Sequence, residues 1–131
     1  MNKSLGDLTG ITGFGFHIIE VEPGCETTEM HKHYHEDECV YILHGNAEAY
    51  IGHEVFQVGP GDFFGYPAGG LGHSIKNTGS EPLKCIVVGQ RLDNDVADYI
   101  KLQKRIYRQK NMPWNLVDIS NVFEATAGKK A

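Results

Sequence analysis

The sequence predicts an all-β domain, a jelly-roll or small barrel of short strands closed around one core, on three observations. Sixteen of the 131 residues are glycine, and they stand between short runs rich in Val, Ile, Phe, Tyr and Thr instead of gathering in one linker. Those runs cover residues 13–21, 27–33, 39–43, 46–51, 54–58, 62–66, 73–77 and 83–90, a number and length that suit a jelly-roll. Within them polarity alternates: Ala47, Ala49 and Ile51 fall on one side of their run, and Asn46, Glu48 and Tyr50 on the other.

Between the runs lie Gly45, Gly52, Gly59-Pro60-Gly61, the segment 67–72 and Gly79-Ser80-Glu81-Pro82, each with turn chemistry that ends an extended stretch. Residues 1–11 read as an N-terminal arm, 12–91 as the barrel and 92–131 as a C-terminal extension. The extension changes texture, since 93–109 carries no glycine and sets Val96, Ile100, Leu102 and Ile106 among charges. A partly helical segment is expected there, with an extended edge strand as the alternative, packing Tyr99, Tyr107 and Trp114 on the barrel or on a second subunit. Residues 125–131 are expected to fray.

A formal charge of −5 gives no overall positive field to attract a polyanion, which argues against nucleic acid as a partner. Lys101, Lys104, Arg105, Arg108 and Lys110 form one short basic stretch, read as a solvated face. No apolar run has signal-peptide or membrane-spanning length, so a cytoplasmic protein without membrane contact is expected. Cys25, Cys39 and Cys85 cannot all pair within the chain and show no CxxC spacing; reduced, mostly buried thiols are expected.

The chemistry concentrates in His31-Lys32-His33-Tyr34-His35-Glu36-Asp37-Glu38. Residues two apart on a strand point the same way, so His31 and His33 present both imidazoles on one face. Glu38 stands just before the apolar run 39–43, where a carboxylate is an odd neighbour for a core strand unless it is used. His73 opens a later strand after the turn 67–72. His33 and His35 form a second HxH of the same parity. His35 is read as a rim or hydrogen-bonding residue, with replacement of a ligand as the alternative.

His31, His33, Glu38 and Gly45, followed by Gly61-Asp62-Phe63-Phe64-Gly65-Tyr66-Pro67-Ala68-Gly69, His73 and Asn77, resemble the two motifs of the cupin superfamily, in order. There are two departures: Gly24 lies one residue further from His31 than the pattern has it, and the gap from Gly69 to His73 is one longer. The resemblance covers about residues 12–91. It implies a double-stranded β-helix in which His31, His33, Glu38 and His73 hold a metal, Gly45 closes a hairpin and Asn77 supports the strand after the last histidine.

Three imidazoles and a carboxylate without thiolate suit one divalent first-row ion, Fe, Mn, Ni, Co or Zn, and disfavour Cu(I). An octahedral ion would keep two positions for water or substrate; tetrahedral zinc with all four ligands would be closed. The first functional reading is an enzyme acting on a small oxygen-rich molecule, with dioxygenase, decarboxylase, lyase or isomerase chemistry. Glu29, His35, Tyr41, Tyr50 and Tyr66 are the candidates for pocket or proton-handling groups. The second reading is a non-catalytic module that binds or senses a small molecule, with no effector domain expected within these 131 residues. The third, a sugar or sugar-phosphate isomerase, needs basic residues near the pocket, where only Lys32 and Lys76 are close in sequence and both face outward by parity. A homodimer is expected, because an uncovered sheet edge is a liability.

Overall fold

A computed structural model describes residues 1–128. In chain order the elements are β1 (Asn2–Ser4), α1 (Leu5–Thr9), β2 (Phe14–Val21), β3 (His31–His33), β4 (Glu38–His44), β5 (Ala47–Ile51), β6 (Glu54–Val58), β7 (Phe63–Tyr66), β8 (His73–Asn77), β9 (Leu83–Gln90), β10 (Asn94–Tyr99), β11 (Lys104–Gln109) and β12 (Asn115–Asp118), then a 3-10 turn at Ile119–Asn121. Two antiparallel sheets face each other, one ordered β1-β2-β9-β4-β7 and the other β12-β11-β10-β3-β8-β5-β6.

The inward residues of both sheets form one core: Val21, Val40, Ile42, Ala47, Ala49, Val58, Tyr66, Ile75, Leu83 and Cys85. Ala47 and Ala49 are buried as the alternation requires, and Ile51 packs against the same cluster. Gly45 turns the chain between β4 and β5 at φ 91, and a Cβ there would come within 3.0 Å of Leu83 Cα and Pro82 O. Only glycine meets both demands. Asn77 is fully buried; its Nδ2 donates to Val21 O and Glu81 O at 2.8 Å each, and Gly79 N donates to its Oδ1 at 2.9 Å. It ties the end of β8 to two other segments.

The extension departs from the helical expectation. Among the described residues after Arg91 there is no α-helix; β10, β11 and β12 form a ribbon joined to the barrel by β10 pairing with β3. The spacing of Val96, Ile100, Leu102 and Ile106 that suggested a helix stripe is broken by a hairpin: Ile100 and Leu102 fall in the turn between β10 and β11, and Ile106 pairs with Ala97, on the face opposite Val96. The free edge of β3 decides for a strand, because it offers backbone partners that a helix could not use. Residues 122–128 have no regular strand or helix, and the remainder of the segment expected to fray lies outside the described residues. Cys25, Cys39 and Cys85 are all free, but Cys85 alone is buried and Cys25 is exposed, against the expectation of mostly buried thiols.

Candidate metal centre

Antiparallel pairing places His31 opposite His73 on one side of β3 and opposite Tyr99 on the other, with His33 opposite Ala97. The parity of β3 sends both imidazoles inward. Glu38 reaches the same point from the facing sheet, at the start of β4. Glu38 Oε1 lies 3.1 Å from His73 Nε2 and 3.7 Å from His31 Nε2, while Oε2 lies 3.8 Å from His33 Nε2. The rings of His31 and His73 are 4.6 Å apart, and those of His31 and His33 5.2 Å.

The outer nitrogen of each ring is occupied. Nδ1 of His31 donates to Glu29 O at 2.8 Å, Nδ1 of His33 to Asp95 Oδ2 at 2.6 Å, and Nδ1 of His73 faces Leu71 O at 3.4 Å. With Nδ1 carrying the proton in each case, all three Nε2 lone pairs aim at the Glu38 carboxylate. This is how ligating histidines are oriented. Glu38 lies 3.1–3.8 Å from the three rings, and the ligand atoms of His31, His33 and Glu38 all fall within 4.8 Å of one another, a spread that a first-row ion with bonds of about 2.0–2.2 Å could bridge; His73 meets the same carboxylate but stands outside that mutually close group. The donor set therefore fits a divalent metal.

In the metal-free protein a second proton, on Nε2, can take the ion's place between the rings and Glu38. Burial alone would raise the Glu38 carboxyl, but hydrogen bonds and charge from His31 and His73 outweigh it and hold Glu38 far below the usual carboxylate range. Burial lowers His31, yet its contacts with Glu38 and with Glu29 O bring it above the ordinary imidazole value. Tyr66 stacks flat on His73, ring centroids 3.5 Å apart and 4° from parallel.

Of the residues the sequence singled out, His31, His33, Glu38 and His73 come together, with Tyr66 against them. The others do not join. Glu29 is exposed and contributes only its backbone carbonyl. His35 is exposed, its backbone N–H donates to Asp95 Oδ1 at 3.1 Å, and its ring belongs to neither group of converging ligand atoms among the described residues. Tyr41 faces outward from β4, 42% exposed. Tyr50 donates from Oη to Glu48 Oε2 at 2.5 Å, on the outer side of β5.

The sequence reading missed Glu36, Asp95 and Arg108. Glu36 and Asp95 are each 4% exposed, and they form with His33 a second group of metal-ligand type. Glu36 is ion-paired with Arg108 and accepts from Leu92 N at 2.7 Å. Burial would raise Asp95, but hydrogen bonds from the His33 ring and from His35 N–H leave its carboxyl below the usual range. Arg108 belongs to the basic stretch read as a solvated face. That reading fails for Arg105 as well, which pairs with buried Asp98 at 2.7 Å. One signal was available for Asp95: like Glu38, it is an acid adjoining an apolar residue at the head of a strand.

A cavity of about 230 Å³ opens beside the cluster, lined by Thr28, His31, His33, Tyr99, Arg108 and Trp114 among others. A smaller one of about 70 Å³ lies inside the barrel against Glu38, Tyr66 and His73. Arg108 sits over the Trp114 ring, 5.6 Å from its centroid.

Two facing antiparallel sheets with this histidine and carboxylate cluster between them define a double-stranded β-helix. Residues 17–89 match the Cupin domain family, and the chain belongs to it. Solved structures agree. A candidate sugar phosphate isomerase from Acidithiobacillus ferrooxidans is 46% identical, with 95% of this chain and 80% of that one covered at a TM-score of 0.90. A sugar phosphate isomerase of the cupin superfamily from Silicibacter pomeroyi is 25% identical over the same shares, with a TM-score of 0.86. A predicted oxalate decarboxylase from Thermotoga maritima is 27% identical over 70% of this chain and 79% of that one, with a TM-score of 0.61. No curated protein matches significantly. No helix among the described residues is long and apolar enough to cross a membrane.

Proposed function

We propose that the protein is a metal-dependent cupin enzyme acting on a small oxygen-rich organic molecule. The observation that carries this is the convergence of three Nε2 atoms on Glu38, each ring fixed through Nδ1, next to a cavity that His31 and His33 themselves line. A bound divalent ion would supply Lewis acidity to a substrate oxygen. The chain's own residues do the rest: Trp114 and Tyr99 give the cavity aromatic walls, and Arg108 adds a cation. The cavity, about 230 Å³, has the scale of a small-molecule site.

Within that class we favour an isomerase of sugars or sugar phosphates over oxygenase or decarboxylase chemistry. Two of the similar structures carry that name, and Arg108, whose charge is shared with Glu36, brings a guanidinium to the pocket wall. The test is proton NMR in D2O with the Mn- or Zn-loaded protein, on a panel of aldoses, ketoses, their phosphates, and small keto and hydroxy acids. Deuterium entering a sugar beside its carbonyl supports the isomerase. Loss of CO2 or uptake of O2 assigns the other chemistries, and saturable binding without product makes the protein a binding module.

We further propose a homodimer. The chain exposes 8300 Å², about 1,400 Å² more than the roughly 6,900 Å² expected of a 14.5 kDa monomer. A standard interface covers about 800 Å² per partner. Phe14, Tyr41, Leu43 and Phe63 are all more than two-fifths exposed on the outward side of the β1-containing sheet, which offers a second copy an apolar face. Light scattering is expected to give twice the chain mass; a monomer at micromolar concentration would overturn this. Three free thiols accord with a cytoplasmic location.

A further inference from the structure

The three histidines of the cluster are not held alike. His31 and His73 lean on backbone carbonyls, whereas His33 leans on a carboxylate, Asp95 Oδ2, at 2.6 Å. Asp95 belongs to β10 and so to the C-terminal ribbon, outside the span 17–89 that matches the family. Its other oxygen accepts from His35 N–H, so the carboxylate grips the end of β3 at two points. Behind it stands a buried brace, with Glu36 beside His33 and Asp95, and Arg108 of β11 ion-paired to Glu36.

Resting on the metal-centre reading above, we propose that Asp95 is a positioning residue through which the ribbon sets the metal affinity of the site. A carboxylate on Nδ1 fixes the tautomer, locks the ring's rotation and makes Nε2 a stronger donor than a carbonyl does. Of the three imidazoles, His33 is then the strongest ligand and the one under the ribbon's control. The ribbon also walls the neighbouring cavity with Tyr99, Arg108 and Trp114. One structural unit beyond the family's common span thereby governs both the ion and the space beside it.

The strand contains its own control. Asp98 is on β10 too, 6% exposed against 4% for Asp95, but faces away and bonds Arg105 and the Tyr34 hydroxyl. The experiment is a Co(II) titration of the full-length protein, read by calorimetry and by the visible ligand-field spectrum, with the melting temperature measured alongside. Asp95→Ala is expected to bind Co(II) about 10- to 100-fold more weakly with an altered spectrum. Asp98→Ala is expected to melt lower while keeping the wild-type affinity and spectrum. Should Asp95→Ala fail to fold, Asp95→Asn decides: the two donors meet different carboxylate oxygens, and in the amide one of those places is taken by an NH2 group that donates, so weaker Co(II) binding and a changed spectrum are again expected. Wild-type affinity in the Asp95 variants, or equal losses in the Asp95 and Asp98 variants, would overturn the proposal and leave the site standing. No Co(II) binding by the wild-type protein would overturn both.

Discussion

Tyr66→Phe separates a packing role from a chemical one at the residue lying flat on His73. Tyr66 is 6% exposed, and its hydroxyl has no hydrogen-bond partner among the described residues. Burial, with the negative charge of Glu38 nearby, holds that hydroxyl protonated well above the ordinary phenol range. A buried unpaired hydroxyl costs about 1–3 kcal/mol. Phenylalanine removes it while keeping the ring and its stack on His73. At about 2.1 cal/mol/K per residue, unfolding 131 residues carries near 275 cal/mol/K, so each kcal/mol is worth about 4 °C in Tm. Thermal denaturation followed by circular dichroism should therefore show the variant melting at least about 4 °C higher, with its metal affinity unchanged. A fall in Tm of similar size would refute the reasoning, because it would mean that the hydroxyl is hydrogen-bonded in solution. If turnover has been found, its loss in this more stable variant would assign the hydroxyl a part in the reaction.

Two more predictions follow from the same geometry. His31 is held above its ordinary value of 6.5, so its contribution to the stability of the metal-free protein is full below that pH and is lost as pH rises through the folded value. Glu38 is held below its ordinary 4.5, so its contribution is full above that pH and is lost as pH falls through the folded value. The metal-free protein should gain most from this pair between about pH 4.5 and 6.5, whereas the Tm increase on adding Mn(II) should grow from pH 6 to pH 8 as the metal displaces the His31 proton; a Tm increase independent of pH would contradict this. Asn77→Ala leaves two carbonyls and one N–H without their partner and should cost about 3–5 kcal/mol, a fall of more than about 10 °C in Tm by calorimetry.

The cluster was legible because its residues are set by short-range geometry. Parity along a strand aims His31 and His33 together whatever the rest of the fold does, and Glu38 and His73 stand at strand starts marked by turns. Most barrel strands were legible from the Gly or Pro beside them; β3 has neither at its ends, and of the run 27–33 only His31–His33 is a strand. Asp95 was not, because its nearness to His33 depends on β10 choosing the edge of β3, a pairing 62 residues apart in the chain. Glu36 was hidden in the run Glu36-Asp37-Glu38, where nothing local tells the buried acid from the exposed one. Arg108 was concealed by its charged neighbours; only the inward parity of β11, unknown until that segment is a strand, separates it from a solvated lysine.

Elemental analysis of protein purified without a metal-affinity tag tests the central claim most directly, carried out on the wild type and on His33→Ala and Glu38→Gln. The expected result is one first-row ion per chain in the wild type and a small fraction of that in each variant. A full equivalent retained by both variants, at an unchanged Tm, would mean that His31, His33, Glu38 and His73 are a hydrogen-bonded polar cluster and that any ion sits elsewhere.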